Sequence, residues 1–144
     1  MFKKILVPVD GSPTSLQAVS RAVALAKAFN GDVTAIYVID PYPFTGVGTD
    51  FAYGQDQYLA AATAEAHDAI RVARESIEAS GVPVDTRVVE AHAVWRGILD
   101  AASAMEADIV VMGSHGRHGI EKLLGSVAQK VLSHAHVPVM VVRD

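Results

Sequence analysis

Five short apolar runs, rich in β-branched residues and spaced by stretches of helical character, constrain this chain more than any other feature. Lys4-Ile5-Leu6-Val7-Pro8-Val9 is the first, and it stops at Asp10-Gly11. The others cover residues 33–39, 84–89, 108–112 and 137–142. Runs of this length suit strands and are too short for helices. Between the first two, Ser12 and Pro13 read as N-cap and first helical residue. Leu16, Val19, Val23 and Ala26 then recur at helical spacing, and Asn30-Gly31 supplies the stop. Residues 57–80, rich in Ala, Glu and Arg and ending at Gly81, predict a second helix. Further helices are predicted over 94–105 and 126–134. Residues 40–56 hold two prolines, three glycines and four aromatic residues without a sustained period, and read as a long loop with room for a helical turn.

Strands separated by helices require right-handed crossovers and therefore a mostly parallel sheet. The expectation is one doubly wound α/β domain over residues 1–144, with five strands and helices on both faces. The first, fourth and fifth runs are almost continuously apolar, as strands buried under helices on both sides would be. The third is more polar and is expected nearer a sheet edge.

Composition removes several classes of function. With 144 residues, 51% hydrophobic and 19% charged, the chain can bury a core without staples, and it has no cysteine to supply them. A thiol nucleophile, a thiolate zinc site and a disulfide framework are excluded. A net charge of -4 with scattered lysines and arginines argues against a nucleic-acid or anionic-membrane surface. The apolar stretch behind Lys3-Lys4 spans only residues 5–9, too short for a signal peptide, and no run approaches the roughly 20 residues of a spanning helix. A soluble cytoplasmic protein, with neither nucleic acid nor membrane as partner, is expected.

Ligands of open α/β sheets bind beyond the carboxyl ends of the strands, where strand order reverses. That directs attention to Pro8-Val9-Asp10-Gly11-Ser12 and to Gly113-Ser114-His115-Gly116. Asp10 has two readings. It can accept hydrogen bonds from ribose hydroxyls or an exocyclic amine, or serve only the Asp-Gly turn. Glycines 113, 116 and 119 allow the backbone of the second segment to approach a ligand and present its amides to an anion. Beyond them, Ser126 and Gln129 have capping-box spacing, and a helix starting there would turn its free N–H groups toward the glycine loop. His115 is placed to donate to a phosphate. The pairs His115/His118 and His134/His136 lack a third ligand at a recognised spacing, so no metal site is expected. Neither a nucleophile elbow nor a Walker lysine is present. Trp95 reads as a packing or surface residue, and Tyr42, Phe44, Phe51, Tyr53 and Tyr58 as residues that close over a ligand or meet a partner.

The opening Lys4-Ile-Leu-Val-Pro-Val-Asp-Gly-Ser12 resembles that of universal stress proteins. Gly113-Ser-His-Gly-Arg117, Gly125-Ser126-Val127-Ala128 and the final Val137-Pro138-Val139-Met140-Val141-Val142 resemble their ending. The resemblance covers the whole chain. It implies a Rossmann-like sheet in the order 3-2-1-4-5, a homodimer, and ATP as ligand through a motif G-x2-G-x9-G-[S/T]. By that similarity Gly113, Gly116, Gly125 and Ser126 contact phosphates and ribose with Val127 beside them. His115 and Arg117 belong to the same loop. Pro8, Val9, Asp10 and Val38 line the adenine and ribose end, and Met112 lies under the nucleoside. A Mg²⁺ carried in by the triphosphate needs few protein ligands. Between Gly116 and Gly125 this chain has eight residues where the motif has nine. The alternatives are a family member that binds protein partners as a dimer without nucleotide, and an adenylyl-transferring enzyme. The last strand, apolar and at the edge in this order, is expected to pair antiparallel with its copy in a second chain.

Overall fold

A computed structural model of the chain describes residues 1–41, 49–116 and 123–143, without the side chains of 49–53 and 55. Arg117, His118, Tyr42 and Phe44 lie outside the described residues, as do the side chains of Phe51 and Tyr53. The elements run β1 (Lys4–Pro8), α1 (Pro13–Phe29), β2 (Asp32–Ile39), α2 (Thr49–Ala79), β3 (Val84–Glu90), α3 (Val94–Ala104), β4 (Ile109–Gly113), α4 (Ser126–His134) and β5 (Val139–Val142). The strands form one sheet in the order β3-β2-β1-β4-β5, and every pairing is parallel.

The pleat of the central strand sorts the core into two layers. Ile5 and Val7 point toward α1 and α2, and Leu6 between them points toward α3 and α4. All three have no exposed surface. Strand β1 therefore turns apolar side chains to both faces, which accounts for its unbroken hydrophobic run. Helix α1 begins and ends as its residues dictate. Ser12 Oγ accepts the Ser15 amide at 3.1 Å, Pro13 fills the first helical position, and Asn30 closes the helix at φ 56°.

Three expectations need correction. Helix α2 begins at Thr49, so residues 49–56 of the long loop predicted over 40–56 are helix. The interior Gly54 costs a helix about 1 kcal/mol, which propagation from the strong helix-forming sequence behind it and packing on β2 and β3 offset. Strand β5 begins at Val139 rather than 137, because Pro138 has no N–H to donate and contributes only its carbonyl, to the Val110 amide at 3.0 Å. Nor is β5 buried throughout. It is an outermost strand in which Val142 is buried, Val139 and Val141 are half-buried and Met140 is exposed. The other edge, β3, is polar as expected and carries Asp85, Arg87 and Glu90 on exposed positions.

At the amino end of the sheet Asp108 ties β4 to β1. Its Oδ2 accepts the Lys3 and Lys4 amides, both at 2.9 Å. Chiefly the hydrogen bond from Lys4, then that from Lys3 and the nearby positive charges, hold this carboxyl below the ordinary carboxylate value. A carboxyl lowered on folding stabilises above its unfolded pKa, and that stability is lost as pH falls through the folded value. Asp108→Asn should therefore lower stability by at most about 1 kcal/mol near neutral pH, since the site is solvent-exposed. Melting curves of parent and variant should converge in acid; a gap that persists there would contradict the assignment.

Candidate functional site

At the carboxyl end of β1 the ladder runs one residue past the strand, with the Val9 amide donating to Ile36 O at 2.8 Å. The chain then turns at Asp10, whose Oδ1 accepts the Ser12 amide at 2.9 Å, and at Gly11, whose φ of 82° suits glycine. Asp10 thus serves the turn through one oxygen. Its other oxygen, Oδ2, faces the glycine loop and lies 2.8 Å from where a Cβ on Gly116 would stand.

Strand β4 ends against the first turn of α1. A Cβ on Gly113 would stand 2.7 Å from Thr14 Cγ2, so this crossing admits only glycine without movement. Ser114 continues the β4–β5 ladder through its amide to Val142 O at 2.9 Å, and its carbonyl accepts the Gly125 amide at 2.6 Å. That bond draws the start of α4 against the glycine loop. A Cβ on Gly125 would lie 3.1 Å from both His115 Cα and Ser114 O.

The capping-box expectation fails at this point. Gly125 is the N-cap and Ser126 the first helical residue, and no side chain caps α4. The expected box needs Ser126 at the cap position with Gln129 three residues on, but Ser126 is already inside the helix, one place too far along for its side chain to cap. Gln129 donates instead from Nε2 to Leu124 O at 2.7 Å. The first amides of α4 consequently lack a side-chain acceptor from the cap.

These segments border a cavity of about 580 Å³ at the carboxyl edge of the sheet. Pro8, Val9 and Asp10 line it from β1, Val38 from β2, and Met112 and Gly113 from β4. His115 and Gly116 line it from the loop, and Gly125, Ser126 and Val127 from the start of α4. Every site residue named from the sequence, Arg117 aside, therefore borders one space. Gly116 and Gly125 both reach it with eight residues between them. Ser114 also lines the cavity, and its Oγ is fully buried without a hydrogen-bond partner among the described residues. A buried hydroxyl of this kind costs about 1–3 kcal/mol unless a partner is supplied.

The family model for universal stress proteins matches residues 1–143. The chain belongs to the universal stress protein family. A universal stress protein of Methanocaldococcus jannaschii is 38% identical over 99% of this chain and 83% of its own length. The solved UspA of Lactobacillus plantarum superposes with a TM-score of 0.87 at 28% identity, over 99% of this chain and 98% of its own. A further universal stress protein, solved in complex with cAMP, superposes with a TM-score of 0.70 at 26% identity over 99% of this chain and 97% of its own.

On this family scaffold α2 provides a further wall, of which the sequence points to Tyr58 alone and not to Ala61, Ala62 or Glu65. Ala61 and Ala62 leave room beside β2, while Tyr58 and Glu65 bring polar groups opposite Asp40 at the end of β2. Burial first, and then the carboxylates of Asp40 and Glu65, push the Tyr58 phenol above its ordinary value and keep it a neutral donor. The spacing Tyr58, Ala61, Ala62, Glu65 is a helix face, and that signal was available. Trp95 lies elsewhere. Its ring stacks on His134 at 4.4 Å with the Arg96 guanidinium 5.0 Å from its centre, joining α3 to α4.

Proposed function

We propose that this chain is a regulatory module of the cytoplasm that binds an adenine nucleotide, ATP accompanied by Mg²⁺, in the cavity at the carboxyl edge of the sheet. The observation that carries the reading is the junction of the glycine loop with the uncapped start of α4, beside the orphaned Ser114 hydroxyl. Helix amides that the cap residue supplies with no side-chain acceptor, together with loop glycines that leave space for a ligand, suit the oxygens of a phosphate chain. Asp10 Oδ2 accepts from ribose, Val38 and Met112 give the base apolar contact, and Gly113, Gly116, Gly125, Ser126 and Val127 surround the phosphates, with His115 and Arg117 in the same loop. The cAMP complex of a relative supports an adenine nucleotide as the ligand class. The bound nucleotide supplies a charged group whose arrival orders the surrounding loops. The role is binding, with any hydrolysis slow and incidental.

Freshly purified protein, denatured and cleared, should release near-stoichiometric adenine nucleotide on anion-exchange chromatography, or titrate ATP calorimetrically with roughly micromolar affinity. Neither bound nucleotide nor heat on adding ATP with Mg²⁺ would overturn the reading in favour of a dimeric protein-binding relative.

The module works as a homodimer through β5. Its open edge is apolar, with Met140 37% exposed, whereas the β3 edge is charged and protected from pairing. Antiparallel pairing of two β5 strands about a two-fold axis satisfies that edge. Met140→Lys should weaken association on the order of 10- to 100-fold, read as a shift toward monomer in light scattering across a dilution series. A parent protein that is already monomeric at micromolar concentration would refute the dimer.

A further inference from the structure

His115 joins two parts of the molecule that sequence places 101 residues apart. Its Nε2 lies 3.3 Å from Oγ1 of Thr14, in the first turn of α1. Its Nδ1 lies 3.2 Å from the carbonyl of Gly116. A carbonyl only accepts, so the proton sits on Nδ1, and in the neutral ring Nε2 accepts from the Thr14 hydroxyl. Thr14 is 1% exposed and cannot drift. The Cγ2 of the same threonine occupies the space beside Gly113, 2.7 Å from where a Cβ would stand, so Thr14 meets this segment at Gly113 as well as at His115. A loop with glycines at both ends has much conformational freedom to lose, and something must hold its peptides in one orientation.

We propose that Thr14 and His115 form a latch that holds the glycine loop in its anion-accepting conformation, with His115 a positioning residue for the bound phosphates. By taking the Gly116 carbonyl onto Nδ1–H, the imidazole turns that carbonyl away from a phosphate, which it would repel. By resting on Thr14, the ring fixes the loop to the rigid start of α1. The proposal rests on the nucleotide reading above and adds what makes the loop competent before the ligand arrives. A loop ordered in advance loses less entropy on binding, so the latch acts on affinity for the phosphate chain and leaves the base and ribose contacts alone.

The test compares ATP with adenosine, both titrated calorimetrically into the full chain. His115→Ala should weaken ATP by roughly 10- to 100-fold and Thr14→Val by roughly 3- to 10-fold, with adenosine affinity within about twofold of the parent. Thr14→Val keeps the shape of the buried side chain, so this variant retains its fold if His115→Ala does not. The double variant should be no weaker than His115→Ala alone, because both act through one contact. His115→Asn, which keeps a donor near the Gly116 carbonyl, should recover ATP binding to about the level of Thr14→Val. Equal losses for ATP and adenosine, additive effects in the double variant, or unchanged ATP affinity in both single variants would each overturn the latch. Failure of the parent to bind ATP would instead overturn the nucleotide reading on which it stands.

Discussion

Replacing Gly116 by valine should cost at least about 100-fold in ATP affinity, about 2.8 kcal/mol at 1.4 kcal/mol per tenfold, while the melting temperature changes little. The protein itself has room for the change. Among the described residues, the one heavy atom within 4 Å of a Cβ at this position, chain neighbours aside, is Asp10 Oδ2 at 2.8 Å, and it is the end of a side chain that can swing. The valine methyls would project into the cavity that Gly116 lines and occupy the volume assigned to the phosphates. The displaced Asp10 carboxylate would also lose its alignment on ribose. Gly116→Ala should lie between the two, with a loss of roughly tenfold. Gly125→Val gives a less clean result. A Cβ there meets backbone atoms of His115 and Ser114 at 3.1 Å, so the loop itself must shift and stability falls together with binding. Calorimetric titration with thermal melts on the same samples separates the two cases. A Gly116→Val protein that binds ATP like its parent would show that the phosphates lie elsewhere.

Leu6→Ala should destabilise the fold by about 2–5 kcal/mol. Leu6 is fully buried on the central strand, in register with Thr34 of β2 and Val110 of β4, and packs in the layer beneath α3 and α4. No neighbour can collapse into the space without breaking the sheet, which places the cost in the upper part of that range. For a chain of this length it corresponds to a melting temperature lower by about 10 °C. Leu132→Ala is the control. Leu132 is 46% exposed on α4, and its loss should stay within about 0.5 kcal/mol. Denaturant midpoints for the pair check the assignment, and equal losses would mean that the layer under α3 and α4 does not hold the sheet as described.

Local chemistry was legible wherever one residue type answers one backbone demand. Ser12-Pro13 opens α1 and Asn30-Gly31 closes it because cap, fixed φ and left-handed stop are properties of those residues themselves. The length and place of α2 were less legible. Gly54 and the aromatic residues around it read as breakers, yet the helix runs through them because packing on β2 and β3 outweighs a propensity deficit. At the site, the two glycine-bearing segments were visible in the sequence because strand ends announce them. The failed capping box was not, since Gly125 rather than Ser126 takes the cap position, where Ser114 holds its amide in a contact that local spacing cannot reveal. The same limit hid the Thr14–His115 contact, and it hid the meeting of the legible Tyr58–Glu65 helix face with Asp40, which exists only once α2 folds over the end of β2. For β5, the edge position was legible from the strand order, but the apolar run was taken for burial on both faces, and only Val142 is buried.

The most direct test of the central claim is an amide chemical-shift titration of the nucleotide-free protein with ATP and Mg²⁺. Saturable shifts concentrated at Gly113, Ser114, Gly116, Gly125, Ser126 and Val127, with smaller ones at Val9 and Val38, are the predicted result. Absence of shifts at saturating ATP, or shifts clustered at the amino end of the sheet around Asp32 and Asp108, would contradict it.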